Sequence, residues 1–192
     1  MKFNEKTILE YVNNVSEKSS VPGGGSVLAL VNELSASLLL MVARFTLNKK
    51  GYEEYFDRAE QIIDILEASK AKCHELIDAD ADAFSKVMKA YASRNEEEIS
   101  VCSIEAFNVP KELYLESKKI MCLAEELIKN GNKNLVSDAE IAYDLAKSSL
   151  KPSLRHMEIN VDSIKDENIK KQCILFIESE NLKWENTTNG KI

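Results

Sequence analysis

The chain has 192 residues, and 25 Lys+Arg against 32 Asp+Glu leave a formal net charge of −7. That length favours one domain over 1–192 with its own core. The acidic balance, with no basic stripe, excludes the usual nucleic-acid footprint. With 44% hydrophobic and 30% charged residues, wholesale disorder is excluded too. Only six Gly and three Pro occur, and Pro22-Gly23-Gly24-Gly25 gathers four of them. So few turn-makers in a chain rich in Leu, Ala, Glu and Lys predict long helices with few connections, an all-α fold.

In chain order, a first helix is expected from about Glu5 to Glu17, with Ile8, Leu9, Val12 and Val15 on its apolar side. The loop Ser19 to Gly25 follows, and Ser26 is expected to cap a helix reaching about Leu47, where Asn48-Lys49-Lys50-Gly51 stops it. This second segment is apolar enough to raise the membrane question. Asn32, Glu33 and Arg44 interrupt it, which favours the central helix of a soluble bundle. From Tyr52 to Tyr91 a helical apolar stripe persists for some forty residues, about 60 Å if unbroken. Asn95 starts the next helix, with Glu96, Glu97 and Glu98 in its first turn; Pro110 should kink or divide it before Asn130-Gly131. Ser137-Asp138-Ala139-Glu140 reads as a capping box for a helix that Pro152 bends. A last helix is expected from about Asp166 to Trp184, with Trp184 in packing and a loose tail from Thr187.

The N-terminus lacks the apolar run of a signal peptide. Cys73, Cys102, Cys122 and Cys173 form no CxxC pair and read as small buried apolar residues in a reducing compartment. A cytoplasmic, soluble protein with no membrane partner is the expectation. His74 and His156 are isolated, and no metal site can be assembled around them.

The informative residue of an amphipathic helix is the polar one on its apolar stripe. In Asp78-Ala79-Asp80-Ala81-Asp82 the acids are two apart, so successive ones point about 160° from each other. Asp80, three after Ile77 and four before Phe84, falls inside the stripe; Asp78 and Asp82 lean away. A buried carboxylate costs several kcal/mol unless it is paired or hydrogen-bonded, so Asp80 is either satisfied structurally or useful. Asp138 shares the face of Ala142 and Leu145 but also sits in a first turn, where an acid stabilises the helix dipole without any further role. The loop Gly23-Gly24-Gly25-Ser26 offers unhindered N–H groups at a helix start, which suits a carboxylate or phosphate, or it is a mere connector. It matches neither nucleotide-binding glycine motif. Lys49 and Lys50 add local positive charge.

Taken together, Pro22-Gly23-Gly24-Gly25-Ser26-Val27, Met41-Val42-Ala43, Thr46, Lys49-Lys50, Tyr52, Asp78-Ala79-Asp80-Ala81, Ala83-Phe84, Val109-Pro110, Gly131-Asn132, Asn134, Ser137-Asp138-Ala139 and Ile159-Asn160 form an ordered set over about 5–170. This set resembles the cyclodeaminase/cyclohydrolase family: the C-terminal domain of formiminotransferase-cyclodeaminase and standalone bacterial relatives, including methenyltetrahydrofolate cyclohydrolase. The chain departs from the family pattern at Ala92-Ser93-Arg94 and at His156-Met157.

The resemblance implies an antiparallel multihelical bundle that forms a homodimer. It also implies tetrahydrofolate chemistry between helices, with no metal and no cofactor beyond the tetrahydrofolate substrate. The family's reactions are closure of 5-formimino-tetrahydrofolate to the 5,10-methenyl compound with loss of ammonia, and opening of the methenyl compound by water. On this resemblance the first reaction is expected and the second is its rival. A non-catalytic helical dimer that kept the scaffold is the distant alternative. Asp80 is the expected catalytic carboxylate and Asp138 the second. Gly23, Gly24, Gly25, Ser26, Lys49 and Lys50 are expected to hold the folate's glutamate carboxylates, and Asn134 and Asn160 to meet the pterin edge.

Overall fold

A computed structural model describes residues 2–189, with side chains described to residue 183. Six helices follow in order: α1 (Ile8–Ser16), α2 (Gly24–Thr46), α3 (Phe56–Ser93), α4 (Glu96–Asn130), α5 (Val136–Val161) and α6 (Glu167–Asn189). Short 3-10 turns precede α3 and α5. Cross-helix bonds fix the directions. Ser26 meets Asp80, Arg58 meets Glu126 and Ala106 meets Asn160, so α2 to α5 alternate up and down. The expected antiparallel all-α architecture is what the described residues adopt.

The core lies along α2. Leu39, Leu40 and Val42 pack on Ile62 and Leu66 of α3 and Ile120 of α4. Alanines 36, 43, 124, 139, 142 and 146, all fully buried, let the helices approach closely enough for the Ser35 hydroxyl to reach the Ala142 carbonyl at 2.6 Å. α2 is long and apolar enough to cross a membrane, yet half of its most apolar stretch is buried against its neighbours.

Several boundaries depart from the sequence reading for local reasons. Pro110 neither ends nor divides α4, which continues to Asn130. Its missing N–H leaves the Ala106 carbonyl, four residues earlier, without its ladder donor; the Asn160 side-chain amide donates to that oxygen at 2.9 Å. The capping box at 137–140 does not form. Asn132 instead caps a 3-10 turn, Lys133–Leu135, which feeds α5 directly at Val136. The second helix starts at Gly24 rather than after a Ser26 cap. Asn95 does cap α4, accepting from the Glu97 and Glu98 N–H groups. The expected apolar side of α1 faces outward: Ile8 is 82% and Leu9 70% exposed, while Tyr11 is the residue the helix buries. Cys73 and Cys173 are buried as expected, but Cys122 is exposed. Helix α6 runs on through Thr187, where a loose tail is expected; the Trp184 side chain and residues 190–192 lie outside the described set.

One buried charge holds α6 to α4. Burial alone would raise the Glu180 carboxyl, but hydrogen bonds from Lys118, Lys183 and the Tyr114 hydroxyl, each at 2.7 Å, outweigh it and bring it down to about 2. A depressed carboxyl stabilises the fold above its ordinary range near 4.5 and loses that contribution as pH falls toward 2. Glu180→Gln is therefore expected to cost about 2 kcal/mol at neutral pH. Melting curves at descending pH should show the wild type losing this advantage, so that the two proteins converge near pH 2.

Candidate active site

Helix α2 opens without a capping side chain, because Gly23 is its N-cap. The orphan N–H groups of a helix start need an acceptor. Asp80 supplies one from α3: its Oδ2 accepts from the Ser26 N–H at 3.0 Å. A Cβ built on Gly25 would lie 2.0 Å from Asp80 Oδ1, so only glycine lets the α2 backbone approach this carboxylate so closely. The helix start therefore already holds an anion, and that anion is Asp80. Burial pushes the Asp80 carboxyl above the ordinary aspartate range; the Ser26 N–H and the nearby His156 pull it part of the way back.

Asp80 looks into a half-open cavity of about 400 Å³, within the usual size range for small-molecule sites. Phe84 and Val87 of α3, Val109 of α4 and Ile159 of α5 make it largely apolar. Gly23, Gly24, His156 and Asn160 add a polar side. Gly24 packs against the His156 ring, since its Cβ would sit 3.5 Å from Cε1 and Nε2. Asn160 Nδ2 donates both to Ala106 O and to His156 O at 3.0 Å. With both amide hydrogens engaged, Asn160 presents only its Oδ1, as an acceptor. Tyr91 and Ser163 join hydroxyls at 2.6 Å on the exposed rim.

The other expected site residues fall elsewhere. The Ser26 side chain is fully buried, its hydroxyl 2.8 Å from the Tyr11 hydroxyl, so only its N–H serves the site. Lys49 and Asn134 line a second groove with Arg44 and Asn132 at the far end of α2. There Lys49 donates to Asn132 Oδ1, and Asn132 in turn ties down the Phe45 carbonyl. Lys50 is exposed and outside that lining. The 23 residues of α2 put roughly 35 Å between the grooves, more than the pterin-to-glutamate span of one folate. Asp138 lies in the first turn of α5, about 27 Å along it from His156. Asp80, the glycines and Asn160 are thus brought together; Asp138, Lys49, Lys50 and Asn134 are not brought to them within one chain.

A family model for formiminotransferase-cyclodeaminase matches residues 7–177. The chain belongs to that family. Its fold superposes on the crystal structure of a formiminotetrahydrofolate cyclodeaminase from Thermotoga maritima with a TM-score of 0.88. Identity there is 34%, covering 95% of this chain and 91% of that one. Methenyltetrahydrofolate cyclohydrolase of Methylorubrum extorquens is 27% identical, covering 84% of this chain and 82% of its own length. The rat formimidoyltransferase-cyclodeaminase is 25% identical over 88% of this chain, which spans only a third of that longer protein. Two residues that carry the family resemblance, Pro110 and Asn160, are physically linked here: the proline frees the carbonyl that the asparagine satisfies.

His156 is the residue the sequence reading missed. Taken alone it is an isolated histidine, but it stands four before Asn160, one helical turn away on the same face of α5. That spacing was the available signal.

Proposed function

We propose that this chain is a tetrahydrofolate one-carbon enzyme of the cytoplasm that catalyses cyclodeamination of 5-formimino-tetrahydrofolate to the 5,10-methenyl compound with release of ammonia. The single observation that carries this reading is a carboxylate, Asp80, half-buried in the wall of a largely apolar cavity. The protonated formimino group and the methenyl product are both cations. A charge already fixed at a helix start and partly shielded from water favours such a cation more than a fully solvated carboxylate does. Beyond that, the site need only hold N10 against the formimino carbon and exclude competing water. Phe84, Val87 and Ile159 supply apolar surface for the aromatic parts of the substrate, and Asn160 Oδ1 an acceptor for a pterin N–H. A scaffold without catalysis would need Asp80 only as the acceptor for the Ser26 N–H, a task that requires no charge.

The cyclohydrolase reading is favoured by one observation, the match to the Methylorubrum enzyme over four-fifths of its length. The methenyl chromophore separates the two reactions. Its appearance from 5-formimino-tetrahydrofolate supports cyclodeamination; its decay in excess of the spontaneous rate, starting from the methenyl compound, supports hydrolysis. Neither signal from pure protein would remove both readings.

The reading includes a homodimer paired along α2. Val27, Val31, Leu34, Leu38, Met41 and Phe45 recur at alternating spacings of four and three, the seam of paired helices. Leu34 is 54% and Phe45 61% exposed, and Ile141 of α5 and Ile8 of α1 are exposed as well. Two α2 helices crossing antiparallel about Leu34 would bring the Lys49–Asn134 groove of one copy toward the Asp80 cavity of the other. That supports a role for Lys49, with Lys50 and Asn134 beside it, in holding the substrate's glutamate carboxylates, and brings Asp138 nearer the chemistry. Leu34→Glu with Phe45→Glu is expected to sediment as a monomer and to bind polyglutamylated folate more weakly. A wild type that sediments as a monomer at assay concentration would sink the dimer.

A further inference from the structure

We infer that His156 is the proton shuttle of the reaction and that Asp80 stays a carboxylate throughout. The inference rests on the folate reading above and assigns the two acid–base groups of the cavity to separate tasks.

Asp80 is poorly placed to cycle a proton. Its Oδ2 already accepts the Ser26 N–H, so that oxygen is not free to take a proton from the substrate. Its Oδ1 is pressed against Gly25, so the backbone screens that side of the carboxylate. His156 is placed oppositely. Among the described residues, neither of its ring nitrogens has a hydrogen-bond partner. In His74, by contrast, Nδ1 is held 3.1 Å from both carboxylate oxygens of Glu33. The His156 ring lines the main cavity and also a second, open groove formed by Val15, Pro22, Val27, Leu28 and Pro152. It therefore touches the substrate space on one side and a path toward solvent on the other. Its main chain is fixed, because the His156 carbonyl accepts from Asn160, and the Gly24 backbone packs on the ring. Imidazole is the side chain that both takes and gives a proton near neutral pH.

The proton count of cyclodeamination asks for one such group. Starting from the protonated formimino compound, the N10 lone pair attacks the formimino carbon and the C=N pair moves onto the exocyclic nitrogen. His156 takes the proton that N10 releases. The N5 lone pair then re-forms a double bond to carbon, and the exocyclic C–N bond breaks with its electrons going to nitrogen. His156 returns the proton to that nitrogen, which leaves as ammonia. One cation becomes another, the ring ends neutral, and Asp80 carries a negative charge opposite the one-carbon centre throughout. In hydrolysis the same ring would take a proton from the attacking water and pass it to solvent on the groove side.

The test uses His156→Gln, which keeps a polar side chain but cannot shuttle a proton, and His156→Ala, which leaves room for added imidazole. Turnover is measured on whichever folate the wild type converts, with substrate binding followed by thermal shift. The expected result is a fall of about 100-fold in kcat for both variants with KM little changed, and recovery of His156→Ala that rises with imidazole concentration. Wild-type kcat in His156→Gln overturns the inference. So does a loss confined to KM, or a loss of kcat that imidazole leaves untouched, because the ring would then only support the glycine loop. If the wild type converts neither folate, the folate reading itself has failed and the shuttle fails with it; if the wild type is active and His156→Gln matches it, only the shuttle fails.

Discussion

Asp80→Asn is expected to fold, to bind folate, and to lose about three orders of magnitude in kcat. The substitution is chosen because the two jobs of Asp80 separate in it. Its structural job is to accept the Ser26 N–H at the start of α2, and an asparagine Oδ1 accepts the same bond. Its electrostatic job needs the charge, which asparagine lacks. The carboxyl is held above its ordinary range by burial, so the fold does not gain from ionising it. The melting temperature of the variant should accordingly stay level or rise while turnover collapses. Steady-state kinetics on the methenyl chromophore and a thermal melt, run on the same preparation, check both halves. A variant with wild-type turnover would show that no cationic centre meets this residue, and the folate chemistry proposed for the cavity would have to be abandoned.

Asp80 was legible in the sequence because helical periodicity alone puts it among apolar residues, three after Ile77 and four before Phe84. The helices were legible for the same reason, and their approximate ends followed from Asn95, Gly131 and the Gly23–Gly25 run. Periodicity says which residues share a face but not what lies opposite that face. Thus the apolar side of α1 was visible, but not that it points outward while Tyr11 reaches in to Ser26. Pro110 was read by its local rule as a kink or a division of the helix. The helix continues because a residue fifty positions away, Asn160, satisfies the freed carbonyl, and no local rule contains that partner.

The candidate site was legible in the same uneven way. Family order along the chain carried Asp80, the glycines, Lys49 and Asp138 as one group, but order does not encode distance. In an antiparallel bundle two motifs at the two ends of one helix lie a helix length apart. His156 escaped because its spacing from Asn160 shows a shared face but not what that face meets; its meaning comes from the cavity that α2, α3, α4 and α5 jointly enclose.

The glycine run admits a sharper test than its conformational freedom. None of its members has a positive φ, so the requirement for glycine here is one of space. At Gly24 a methyl group would make an ordinary contact 3.5 Å from His156, and Gly24→Ala should be close to neutral for stability. At Gly25 the methyl carbon would fall 2.0 Å from Asp80 Oδ1 and 2.5 Å from its Cγ, inside any allowed approach. Either the carboxylate leaves its place under the α2 start or the helices part. Gly25→Ala should therefore cost about 2 kcal/mol in stability and lower kcat nearly as far as Asp80→Asn. The origin of the loss can be isolated by removing the obstacle. In an Asp80→Ala background the same methyl group has room, and adding Gly25→Ala should change stability by only a few tenths of a kcal/mol. Denaturant midpoints for the four proteins give the coupling directly. Additive losses would mean that the glycine is needed for something other than the approach of this carboxylate, and the close fit of α2 to Asp80 would no longer explain why the run begins the helix.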